Sequence, residues 1–235
     1  MGASLIDGRA EVGGDRGHRL AGVALALVIP TMVAAVALDP TRIGPDREHW
    51  PGNLVELAAD PWPYPLALAL MALGGVMALS TGVSLRAACV EGPQILGWGR
   101  LGLIAAGTAI LGWTALKLRF YMLAVEWAAS GEPVLGPLAT SALETHGLAV
   151  TVAFLALPTL LVSVIAAGWG LQRRLAAPPW LRVFPIAAGI VVAISPVGFA
   201  DIGPLQGFAA YLFVAAILLT VWTTLLGASL ARGTR

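Results

Sequence analysis

Six stretches of this chain are apolar on every face for roughly 18–26 residues, long enough to cross a hydrocarbon layer of about 30 Å as helices. They fall at about Leu20–Leu38, Pro65–Leu85, Leu101–Leu123, Gly147–Leu171, Val183–Ala200 and Leu205–Leu230. A soluble core needs one apolar face per element, and an all-round apolar helix needs lipid or deep burial. Backbone that crosses lipid must satisfy its own hydrogen bonds, so the reading is all-α: a polytopic membrane helical bundle of six transmembrane helices. Composition agrees. The chain is 58% hydrophobic and 11% charged, where about 25% charged is usual for a soluble domain.

Charge is sorted between alternate connections. One side carries Arg9, Arg16, Arg19, Arg86, Arg100, Arg173, Arg174, Arg182, Arg232 and Arg235. The other keeps Arg42, Arg47, Lys117 and Arg119, together with Asp39, Asp46, Glu48, Glu56, Asp60, Glu126, Glu132, Glu144 and Asp201. The positive-inside rule makes the Arg-rich side cytoplasmic. The N-terminus and C-terminus are then both cytoplasmic, and residues 39–62 and 124–145 lie outside. Trp50, Trp62, Trp98, Trp127 and Trp180 fall near the expected boundaries, where amphipathic rings settle, whereas Trp113 and Trp222 lie inside spans and are expected to pack between helices. Basic charge is almost wholly Arg, with Lys117 the only Lys, and with so much Ala, Gly and Val this suggests a GC-rich bacterial genome, so the expected setting is a bacterial plasma membrane with the lipid bilayer as partner.

Residues 1–17 are polar and Gly-rich and read as a flexible cytoplasmic tail; residues 18–235 form a single six-helix domain. Ala35-Val36-Ala37 resembles a signal-peptidase site, but the apolar run before it is longer than a signal core, so the segment reads as an uncleaved span. In the first loop, Asn53 and Glu56 have capping-box spacing ahead of a short surface helix, Leu54–Ala59. Gly74, Gly75 and Gly82 slim the second span, and Gly102 and Ala106 the third, for close helix packing. Small-residue faces of this kind suit a membrane-protein partner or a homo-oligomer.

Chemistry is sparse. GxSxG, HExxH and P-loop patterns do not occur, and the six apolar stretches contain no Asp or Glu. No catalytic residue and no cofactor is assigned. A net charge of +1 gives no case for nucleic acid. Cys89 is the single cysteine, which rules out a thiolate metal cage. A metal at His146 would need Glu48 or His49 from the first loop, and the simpler reading makes Glu144-Thr145-His146 the polar cap of the fourth span, with no metal.

Lys117 and Arg119 stand out. Lys117 lies about 24 Å along the third span from Leu101, one turn short of its outer end. A cation there snorkels or finds a partner. Trp113, Lys117 and Tyr121 share a face at i, i+4, i+8, so Lys117 is expected to turn inward toward Glu144 or Asp201 and to form a vestibule with the two rings. Arg119 can pair with Glu126 within its own helix if that helix continues.

A second pattern is the pair of proline breaks. Leu27-Val28-Ile29-Pro30-Thr31-Met32 in the first span resembles Leu155-Ala156-Leu157-Pro158-Thr159-Leu160 in the fourth. Breaks in corresponding spans of two inverted halves point to a transporter site at the midplane. A Pro-Thr kink whose hydroxyl satisfies the freed carbonyl is the plain structural alternative.

The plan resembles six-span bacterial integral membrane proteins of the domain-of-unknown-function type. The features that carry the resemblance are His18-Arg19-Leu20-Ala21-Gly22 at the first span, the long first loop, the Pro178-Pro179-Trp180-Leu181 turn, Gly189 and Ser195-Pro196-Val197-Gly198-Phe199. The resemblance implies six helices and supplies no catalytic residues. Two functions compete: a non-catalytic structural, regulatory or envelope-sensing membrane component, and a transporter or binder of a small amphiphilic or anionic ligand near Lys117 and Arg119.

Overall fold

The computed structural model describes residues 22–41, 50–86, 93–133, 136–174, 179–195 and 208–231. The expectations for the 1–17 tail, Cys89 and Asp201 lie outside them. Among the described residues the chain is all-α: α1 (Gly22–Leu38), α2 (Trp50–Ala59), α3 (Tyr64–Ser84), α4 (Gln94–Ser130), α5 (Pro137–Arg174), a 3₁₀ turn (Pro179–Arg182), α6 (Val183–Ile194) and α7 (Phe208–Ala231). Among the described residues three helices, α3, α4 and α5, are long and apolar enough to cross a membrane, and Gly22–Leu38, Trp180–Ile194 and Ala210–Leu226 form shorter apolar helices.

α4 and α5 form an antiparallel hairpin with the most extensive helix contact in the molecule. α3 lies along α4, α6 along α7, and α7 reaches α5. α1 packs on α3, where an added Cβ on Gly74 would lie 2.4 Å from the Met32 sulfur. The hairpin owes its closeness to small residues. A Cβ on Gly99 would fall 2.3 Å from the Ala167 backbone nitrogen, and one on Gly107 would fall 2.8 Å from the Gly75 carbonyl of α3. Backbones this near gain dispersion contacts along their length, which is how helices associate where lipid offers no hydrophobic drive. Trp113 and Trp222 are both 0% exposed, packed between helices as expected. Trp62, Trp98 and Trp180 lie on the surface. Much of the outer face of the helices is apolar too, as at Leu73, Leu101 and Leu155, which suits lipid contact.

The hairpin departs from the expected boundaries. α4 has 37 residues and α5 has 38, which makes each about 55 Å long and well over a bilayer core. The expected loop over 124–145 shrinks to a turn that opens at Gly131, a left-handed residue with φ 70° that caps α4. Pro137 does not break a helix but begins one, since a first-turn residue has no N–H bond to lose. Glu144, Thr145 and His146 are therefore two turns inside α5 and do not cap it. In the same way α2 starts at Trp50, ahead of Asn53, so Asn53 is a helix-interior residue and not a capping one.

The excess length has its own core. Leu54 and Leu57 of α2 pack with Tyr64, Leu68, Phe120, Ala124, Ala139 and Ala142. A larger core of α1 and α3 to α7 fills the rest of the bundle. The molecule is thus a helix bundle with a smaller helical cap at the α4–α5 turn end.

Candidate functional site

Lys117 sits at the junction between bundle and cap. The buried stripe of α4 runs through Leu103, Ala106, Ile110, Trp113, Lys117, Phe120 and Ala124, steps of three or four that stack on one face. Lys117 is in phase with that stripe, so the helix itself carries the ammonium inward. Its partner is Asp39, the residue that follows α1: Nζ lies 2.8 Å from Asp39 Oδ2, and both side chains are 0% exposed. This corrects the expected pairing. Glu144 is exposed on α5, and Asp201 lies outside the described residues.

Thr41 completes a closed ring. Its backbone N–H donates to Asp39 Oδ1 at 2.9 Å and its hydroxyl donates to the same oxygen at 2.5 Å. Lys117 Nζ donates in turn to the Thr41 hydroxyl oxygen. The Tyr64 ring lies under the ammonium, 5.7 Å from its centroid, and the Tyr64 hydroxyl donates to the Lys117 carbonyl at 3.2 Å. Burial of a charge costs several kcal/mol unless it is paired and hydrogen-bonded, and here charge, hydroxyl and ring all converge on one cation.

The surrounding residues tie α2 to the hairpin. Asn53 Nδ2 lies 3.4 Å from His146 Nε2, and the His146 ring meets Phe120 at 4.8 Å between centroids. Tyr121, half-buried, stacks on Tyr64 at 5.6 Å. The structure thus brings Lys117, Tyr121 and His146 to one region and buries Trp113 one turn below. Arg119 is exposed on the far face of α4, away from the pair. α4 does continue past Glu126, which is exposed as well. Asp39, Thr41 and Tyr64 are members of the cluster that sequence reasoning did not single out as site residues, and Asn53 was expected there only as a helix cap.

An apolar cleft of about 380 Å³ opens below the pair, between α1, α5 and α7. Asp39 and Thr41 form its one polar end; the rest of the lining is apolar, including Ile29, Leu157, Leu160 and Ala216. Both helices run on through the prolines expected to break them, and the residues beside these, Ile29 next to Pro30 and Leu157 next to Pro158, line this cleft. The two Pro-Thr steps do not act alike. The Thr159 hydroxyl donates to the Leu155 carbonyl at 2.6 Å, whereas the Thr31 hydroxyl leaves its helix and reaches the Met77 sulfur at 3.9 Å.

Ser163 donates to the Thr159 carbonyl and Ser195 to the Val192 carbonyl. Among the described residues no three His, Cys, Asp or Glu side chains converge as metal ligands. The arrangement is chemically a neutral, closed anchor beside an apolar space. Comparison of the chain with protein-family models, curated proteins and solved structures gives no match.

Proposed function

We propose that the chain is a non-catalytic, multi-pass integral membrane protein of a bacterial plasma membrane, with six spans and both termini cytoplasmic. In this reading the cap of α2 and the α4–α5 turn stands outside, and the protein acts as a structural, regulatory or envelope-sensing component that packs with a membrane partner or a second copy. The observation that carries it is the Lys117–Asp39 pair, which ties the polar connection after α1 to the hairpin that bears the cap. A displacement of the cap is then felt by at least two membrane helices, because a broken buried pair leaves an uncompensated charge. The positive-inside distribution of Arg supports the orientation. Alkaline phosphatase fused after Gly131 is expected to be active and fused after Arg86 inactive. Activity after Arg86 overturns the orientation, and inactivity after Gly131 removes the external cap.

A second reading, a binder or transporter of a small amphiphile, is favoured by one observation: the cleft lies between α1 and α5, the two helices that carry Pro30 and Pro158. Its polar end is Asp39 and Thr41 rather than the Lys117–Arg119 face.

A further inference from the structure

We propose that the cleft between α1, α5 and α7 takes up one acyl chain of an outer-leaflet membrane lipid, sideways from the bilayer and whatever head group the lipid carries. The choice of leaflet rests on the orientation proposed above. The site deepens the envelope-sensing reading, because it puts a lipid chain beside the anchor of α1.

Water, empty space or hydrocarbon can fill such a cleft, and the lining decides among them. Every lining residue except Asp39 and Thr41 is apolar. The Asp39 side chain is 0% exposed and Thr41 is 3% exposed, and both are turned to each other and to Lys117, so neither offers a polar atom to a guest. A buried water needs about two to four polar partners, which this wall lacks. Emptiness leaves the lining without contacts on one side, at a cost that grows with the volume, here about 380 Å³. Hydrocarbon avoids both penalties, and nothing in the lining depends on the head at the end of the chain.

The helices are not free to close the gap. α1 is held toward α3 and α4 by the Asp39–Lys117 pair and by Met32, whose sulfur sits against Gly74. α7 is seated on α5 farther along, where an added Cβ on Gly168 would lie 2.5 Å from the Trp222 ring. Closure would give up these contacts.

Depth and mouth match a chain from one leaflet. The cleft follows α1 from Ile29 to Asp39, about 15 Å of helix and half of a hydrocarbon core of about 30 Å. Its Asp39 end is level with Lys117, near the outer end of the third expected span. Phe213 lines the cleft yet is 47% exposed, and its neighbours Val214 and Ile217 are exposed as well. The mouth is thus continuous with the apolar outer face of α7, so a chain enters without crossing a polar surface.

The test uses the full chain in nanodiscs doped with a phospholipid that bears a diazirine near the methyl end of one chain, with labelled residues read by peptide mass spectrometry. Val33 and Phe154, half-buried in the cleft wall, are expected to be labelled as strongly as the exposed α3 residues Leu73 and Val76. Phosphatidylcholine and phosphatidylglycerol probes should label them to the same extent. Ala216→Phe fills the cleft, and labelling of Val33 and Phe154 should fall about tenfold while Leu73 and Val76 label as before, which reports an intact fold. If Ala216→Phe does not fold, Leu157→Trp places the block at a partly exposed position of the same wall. Labelling of Leu73 and Val76 without Val33 and Phe154 overturns the chain site and leaves the membrane reading standing. So does cleft labelling that persists in the filled variants. A preference for one head group overturns the head-independent site. Absence of label at Leu73 and Val76 as well removes the membrane-spanning reading together with the lipid site.

Discussion

Lys117 and Asp39 meet at 2.8 Å with neither side chain exposed, at the level where the bundle gives way to the cap. The pair is enclosed on several sides: Thr41 bridges it, Tyr64 underlies it, and the apolar cleft lies below. Such a pair is weak support for net stability, because desolvation offsets most of the Coulomb gain. Its consequence is specificity. Any arrangement that separates α1 from α4 strands two charges, so the pair fixes which face of α4 turns inward and where the chain after α1 docks.

Removal of one partner should therefore harm more than removal of both. Lys117→Met leaves a buried carboxylate and Asp39→Asn a buried ammonium, each at a cost of about 3–5 kcal/mol. The double variant K117M/D39N keeps the oxygen that Thr41 donates to and strands no charge, so most of the loss should be recovered. Thermal melting of detergent-solubilised protein by size exclusion reads this directly. Single variants that melt with the parent, or a double variant worse than either, would show that the pair does not act as a unit.

The small-residue contacts make a sharper comparison within one helix. Gly99 and Gly112 both lie in α4. A Cβ at Gly99 would meet the Ala167 backbone at 2.3 Å, whereas one at Gly112 meets nothing within 4 Å. Gly112→Ala should leave stability unchanged or raise it by up to about 1 kcal/mol, through lower backbone entropy in the unfolded chain. Gly99→Ala should lower it, because neither helix backbone can move aside without loss of the α4–α5 contact. Equal melting of the two would show that the hairpin is not packed backbone to backbone.

The inward turn of Lys117 follows from the excess of acids on its side of the chain, which favours a carboxylate partner over snorkelling to the headgroups, and Lys117 is buried. Its partner was not legible in the sequence. Asp39 and Glu144 are both acids near the same expected boundary, and the count of charges per side treats them alike. The difference lies in helical phase. Once α5 begins at Pro137, its buried positions run Ala139, Ala142, His146, Ala149 and Ala153, and Glu144 falls off that stripe. Treating residues 124–145 as an external loop hides this phase, although Pro137 at a first helical turn is favourable. The hydrophobic runs located α3 to α5, because lipid-length periodicity is strong. The cap was missed because Leu54, Leu57, Phe120 and Ala139 contact one another across connections that no local pattern links.

The cap and the bundle have separate cores, so damage to one should stay local. Leu57 of α2 is 1% exposed and belongs to the cap core, whereas Met71 of α3 is 0% exposed in the bundle core. Large-to-small changes at such sites cost about 2–5 kcal/mol. In Leu57→Ala that cost should appear as faster amide exchange over residues 50–59, with the middle of α3 protected as before, because α2 is held by one short apolar face and the Asn53–His146 contact. Met71→Ala should instead lower protection across α1, α3 and α4 together. Hydrogen exchange with mass spectrometry in nanodiscs distinguishes the two patterns. A Leu57→Ala protein that exchanges faster throughout α3 and α4 would mean that cap and bundle unfold as one unit.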